Sequence, residues 1–147
     1  MRRRTLWGAF LGVAAVSTAC SEAIAPPPPF VISISSVVTS AEWNNETERY
    51  ECSFTLTASA GGGSAGAYAE WQSGEGQWRY FNGNAEPFSL NNTDLLDIFG
   101  NARISTGATQ VANRFAWSEA QFDFAFTFRA SLPDGTLSSV FVFVDCF

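Results

Sequence analysis

The segment QFDFAFTFRA, residues 121–130, sets phenylalanine at 122, 124, 126 and 128, with Asp123, Thr127 and Arg129 between them. A period of two puts all four rings on one face of an extended strand; a helix would scatter them around its circumference. Such a face has to be buried, and it needs a second apolar layer opposite it. The sequence offers one in ECSFTLTAS, where Cys52, Phe54, Leu56 and Ala58 alternate with Ser53, Thr55 and Thr57. After the turn signal Pro133–Gly135, Val140, Val142, Val144 and Cys146 alternate with Phe141, Phe143 and Asp145. Both of those faces are apolar, which predicts a final strand that is central or covered on both sides.

Shorter strands are expected at VISIS near residue 31, at RFAWS around Trp117, and at AYAEWQ and QWRYFNG, the last two joined by a turn at SGEG. NNTDLLDIFG, 91–100, carries the one helical signal, a short turn with Thr93 as its cap. AGGGSAG, 60–66, lacks the Lys-Ser/Thr of a phosphate loop and reads as a flexible inter-strand loop. The expected fold is all-β: an antiparallel sandwich of about seven strands with one short helical turn, filling residues 30–147. Closure into a barrel is the alternative.

The N-terminus has a different character. Arg2, Arg3 and Arg4 precede an apolar run from Leu6 to Val16, too short to span a bilayer, which needs roughly 20 apolar residues. It has the length of an export signal. Ser17, Thr18 and Ala19 are small, and Cys20 follows. This resembles the lipobox of bacterial lipoproteins, although Ser17 stands where that motif usually has leucine. The resemblance implies a cleaved signal over 1–19, a diacylglycerol on Cys20, and a lipidated, Pro-rich linker over 20–29. The alternative is an ordinary secretory signal that leaves Cys20 as an incidental thiol. Ser21 after the cysteine is not the Asp of inner-membrane retention, so the resemblance implies a bacterial cell envelope location, at the outer membrane.

With Cys20 assigned to the lipid, Cys52 and Cys146 remain, and an oxidising compartment allows them to join. That bridge closes a loop of about 95 residues, worth up to roughly 4–5 kcal/mol on the chain-entropy model. Pro26 to Pro29 favour extended polyproline II, giving a spacer on the order of 25–30 Å from Ser21 to Pro29. The body resembles immunoglobulin-like or fibronectin type III domains in Cys52 on an alternating second strand, Trp71 on the presumed third, and the late Phe-rich hairpin. It departs from the antibody pattern because Cys146 falls on the last strand. Cys52 and Cys146 both point inward in this register, consistent with a bridge across or beside the core under Trp71.

Chemistry is constrained by what is missing. The chain has no His and no Lys, and beyond the arginine triplet it carries five arginines against fourteen acids, a net charge of −9. Such an acidic body repels phosphate backbones, which argues against a nucleic-acid partner. Imidazole-based triads and metal sites cannot be built. Glu70 and Glu75 remain as a distant acid–base pair for glycoside hydrolysis, and Asp94 and Asp97 as oxygen ligands for calcium; solvated carboxylates are the favoured reading of the first pair, and helix-end charge explains the second equally well. The expectation is a non-enzyme without cofactor or metal. Binding is better provided for. Trp78, Tyr80 and Phe81 crowd one segment, with Trp78 and Tyr80 on one strand face and Arg79 and Phe81 on the other. Facing out, Trp78 and Tyr80 form a platform for a sugar ring or a protein; facing in, they are core. Trp43, among acids and amides in an expected loop, is a further exposed anchor. The function expected is adhesion, envelope scaffolding or partner recognition by a lipid-anchored domain, with carbohydrate binding as the alternative.

Overall fold

The computed structural model describes residues 25–147. The signal expected over 1–19 and Cys20 lie outside the described residues. Eight strands and one helix follow in order: β1 (Val31–Asn44), β2 (Arg49–Gly61), β3 (Tyr68–Tyr80), β4 (Ala85–Leu90), α1 (Asn92–Phe99), β5 (Arg103–Ser105), β6 (Thr109–Ser118), β7 (Phe122–Ser131) and β8 (Leu137–Val144). They form an antiparallel β-sandwich. One sheet runs β1-β2-β6, the other β4-β3-β7-β8, with β5 paired to the same edge of β3 as β4.

The alternating segments build the core as their spacing requires. Phe122, Phe124, Phe126 and Phe128 are all buried, and across the sandwich Cys52, Phe54, Leu56 and Ala58 face them. Phe54 lies 5.6 Å from Phe124, centroid to centroid, and Phe128 packs edge-on to Trp71 at 6.3 Å. Complete burial of side chains this size contributes about 1.5–3 kcal/mol each before ordering costs. The two flanks close differently. On one, β1 runs beside β8 and Ser36 Oγ donates to the Phe143 carbonyl at 2.5 Å. On the other, α1 bridges β3, β4 and β6, burying Leu95 and stacking Phe99 on Trp71 at 4.7 Å.

Four details differ from the sequence reading. SGEG is no turn: β3 runs unbroken through it, with a bulge between Trp71 and Ser73 against β7. The glycines are there because Leu90 and Phe88 lie over them; a Cβ on Gly76 would sit 2.1 Å from the Phe88 ring. Covering a strand glycine with an aromatic ring from the neighbouring strand fills the space its missing side chain leaves. The final strand is neither central nor covered on both faces. β8 is an edge strand, and Phe141 on its outer face is 63% exposed. Asn91, not Thr93, caps the helix, in a reciprocal box with Asp94.

The fourth concerns AGGGSAG, which is a docking surface for the incoming chain. Gly63 N–H donates to the Pro28 carbonyl at 2.7 Å, and a Cβ on Gly62 (φ +69) would come within 2.0 Å of the Pro29 oxygen. Leu132 and Pro133 line the same pole, in a hollow of about 520 Å³ with Pro27, Pro29 and Phe30. The end of the proline run is therefore fastened to the domain, and the free spacer is shorter than the run suggests.

Candidate functional site

The pole opposite the linker is built from aromatic rings. There β1 ends and β2 begins, β3 turns into β4, β6 turns into β7, and the C-terminal residues finish. Register fixes who meets whom. Tyr50 pairs with Trp43 on one side and Ser118 on the other, while Trp78 pairs with Phe124 and with Glu86. Cys52 and Cys146 are bridged here with Cα atoms 5.9 Å apart, joining β2 to the segment after β8. The sequence-predicted pairing is present, but not under Trp71. Trp71 sits at the other end of the core, its indole N–H donating to Gln110 at 3.0 Å, six residues along β6 from the partner of Cys52. At about 3.3 Å per residue the two are separated by roughly 20 Å along the strand.

Trp78 and Tyr80 share a face, and that face is the inner one. Trp78 packs edge-on to Phe124 at 4.4 Å and lies 5.1 Å from Phe122. The sandwich is open at this corner, however, so both rings are half-buried rather than sealed. They are nearly parallel, 14° apart with centroids at 6.3 Å. Together with Asn84 and Glu86 from the β3–β4 corner, and Trp117 and Ser118 from the end of β6, they line a cleft of about 540 Å³. Tyr80 Oη lies 3.3 Å from Glu86 Oε2; burial first, and the neighbouring carboxylate second, hold its phenol above its ordinary value.

The other predicted aromatics stand outside this cleft. Phe81, 60% exposed, lies across the turn in a smaller hollow with Arg79 and Asp123. Trp43 is exposed as expected, but on the last turns of a strand and not in a loop. It packs edge-on to Tyr50 at 4.8 Å, and its indole N–H donates to Asn45 at 3.0 Å. The carboxylates considered for chemistry have structural partners: Glu75 with Arg129 at 2.9 Å, Glu70 with Arg103 at 3.9 Å, and Asp97 with Arg114 at 3.6 Å. Asp94 Oδ2 accepts the Asn91 N–H at 2.8 Å in the helix cap. Among the described residues no group of three or more His, Cys, Asp or Glu could hold a metal ion, and no helix is long and apolar enough to cross a membrane.

Glu86 and Trp117 were not singled out by the sequence. Trp117 had a signal: β6 inverts the usual alternation, with Ala112 and Ala116 turned inward and Val111, Phe115 and Trp117 outward. Small residues inside and large ones outside leave an exposed apolar stripe on the outer face of β6.

No protein-family model matches the sequence, and no curated protein matches it. Among solved structures, one from Bordetella pertussis, a structural genomics target carrying the provisional name ApaA, aligns with a TM-score of 0.51 at 10% identity, covering 83% of this chain and 93% of that one. A second structural genomics target, SoR45, aligns at 0.49 and 9% identity, covering 80% and 83%. At 10% identity the first likeness speaks for the fold alone.

Proposed function

We propose that the chain is an envelope lipoprotein, anchored through Cys20, whose immunoglobulin-like domain presents a non-catalytic binding surface to the space outside the cytosol. The observation that carries this reading is polarity. The linker is fastened at Gly62 and Gly63, and the aromatic cleft opens at the opposite pole. β1 alone, 14 residues, spans about 45 Å between the two. A lipid at Cys20 then holds the linker pole toward the leaflet and points the cleft away from it. The immunoglobulin-like reading is supported by the pairing of β2 with β6 and of β7 with both β3 and β8, which matches the B–E and C–F–G neighbours of such sandwiches. The disulfide fits an oxidising compartment.

The carbohydrate-binding alternative is favoured by one observation of its own: Trp78 and Tyr80 meet side chains with both donor and acceptor groups in a single cleft.

The test of the anchor is expression of the full chain in a lipoprotein-processing bacterium, followed by intact-mass analysis and membrane fractionation. Loss of residues 1–19 with a diacylglycerol on Cys20, and its absence in Cys20→Ser, is the expected result. A mature chain unmodified at Cys20 and free in solution overturns the reading.

A further inference from the structure

We infer that the cleft at Trp78 and Tyr80 binds an uncharged saccharide and rejects anionic ones. The inference deepens the reading of a presented binding surface, and rests on it for its setting.

The floor comes first. Trp78 cannot turn freely, because Phe122 and Phe124 hold it from below, and Tyr80 lies nearly parallel to it with centroids 6.3 Å apart. Aromatic rings already held in place offer an apolar surface with little ordering cost, which is what the C–H face of a pyranose stacks on. The wall is polar and of mixed kind. Asn82 and Asn84 bring amides that both donate and accept, Ser118 a hydroxyl, and Glu86 an acceptor already oriented by the Tyr80 phenol. Mixed donors and acceptors around an aromatic floor suit a ligand that is itself covered with hydroxyls. A purely apolar ligand would leave these groups without partners, at a cost of about 1–3 kcal/mol for each one buried.

Charge sets the selectivity. Glu86 and Glu119 line the cleft, and among the described lining residues none is cationic. Arg49 lies over the Trp117 ring at 4.6 Å but is tied to Glu51 at 2.8 Å. Two carboxylates facing the ligand, on a body of net charge −9, disfavour uronates, sulfated sugars and phosphates. The volume, about 540 Å³, lies within the 300–1,000 Å³ typical of ligand clefts and accommodates a short run of sugar units.

The test uses the mature, full-length chain in detergent micelles. Tryptophan fluorescence is titrated with uncharged hexasaccharides of the β-glucan, α-glucan and chitin types, with a hexagalacturonate, and with choline as a cationic probe. At least one uncharged oligosaccharide is expected to bind, and hexagalacturonate at least tenfold more weakly. Glu86→Ala, which removes an exposed side chain that reaches the Tyr80 phenol, is expected to weaken binding tenfold or more with an unchanged unfolding midpoint. Trp43→Ala leaves it unaltered. Trp78→Ala gives the same loss where it folds, and Tyr80→Phe provides a milder second variant that keeps the ring but lowers affinity. A silent panel, preference for the galacturonate, binding of choline alone, or affinity indifferent to both Glu86→Ala and Tyr80→Phe overturns the proposal. Lipidation is read separately by mass, so failure of the anchor and failure of the ligand class are told apart.

Discussion

The carboxylate of Asp123, at the start of β7, accepts the backbone N–H of Cys146 at 3.0 Å, and that of Phe147 at 3.3 Å. One side chain thus holds the final turn of the chain, just where the disulfide needs Cys146 to be. Removing the acceptor leaves two part-buried donors to find water. We expect Asp123→Ala to lower unfolding free energy by about 1–3 kcal/mol, and Asp123→Asn, which keeps one acceptor oxygen, by less. Urea denaturation measures the difference, and thiol-reductant kinetics should show faster opening of the bridge in the alanine variant.

The bridge joins residues 94 apart in sequence and ties β2 to the chain end. Replacing both cysteines, Cys52→Ala with Cys146→Ala, is expected to cost about 2–5 kcal/mol, with most of the loss from a freer unfolded chain. Denaturation midpoints of the two forms check it. Intact mass should show two hydrogens gained on reduction of the parent protein.

Gly62 is where the linker touches the body most closely. Alanine there places a Cβ against the Pro29 oxygen at a backbone angle L-residues avoid, whereas Gly61, with open space around it, accepts alanine. We expect Gly62→Ala to cost roughly 1–3 kcal/mol and to release the proline run. The readout is hydrogen exchange at the Gly63 amide, slow in the parent and in Gly61→Ala, fast in Gly62→Ala.

Glu51 accepts from Arg49, Asn44 and Thr47, and the Arg49 hydrogen bond is the main cause that its carboxyl stays below the ordinary 4.5. A carboxyl whose folded value is depressed stabilises the fold above its unfolded value and loses that contribution as pH falls through the folded one. Stability of the parent is therefore expected to drop below about pH 4.5 more steeply than that of Glu51→Gln. Thermal unfolding between pH 7 and pH 3 compares the two slopes. Equal slopes would remove Glu51 from the acid response.

What the sequence made legible was whatever depends on local alternation. The four phenylalanines of β7 and the inner residues of β2 are where their spacing put them. Alternation reports which face a residue shares, not what covers that face. Phe141 and Phe143 on β8 read as a buried second face, yet the strand lies at an edge. Gly74 and Gly76 resemble a turn locally, and only Leu90 and Phe88, sixteen and twelve residues away in a different strand, explain them. The helix cap was within reach, since Asn91 and Asp94 stand at the box spacing, but Thr93 was the nearer hydroxyl. Trp78 and Tyr80 were found because they are neighbours in sequence. Glu86 and Trp117 reach the cleft through cross-strand register and chain reversal, which no single segment records.

The lengthwise run of β1 has a mechanical consequence. Its first residue adjoins the proline-rich segment and its last reaches the far pole, with β2 paired to it from Val31–Gly61 through to Asn44–Arg49. A pull applied along β1 against β2 loads these hydrogen bonds in shear, many at once, instead of unzipping them one by one. The pairing therefore resists extension along the long axis of the sandwich far better than peeling from its edge.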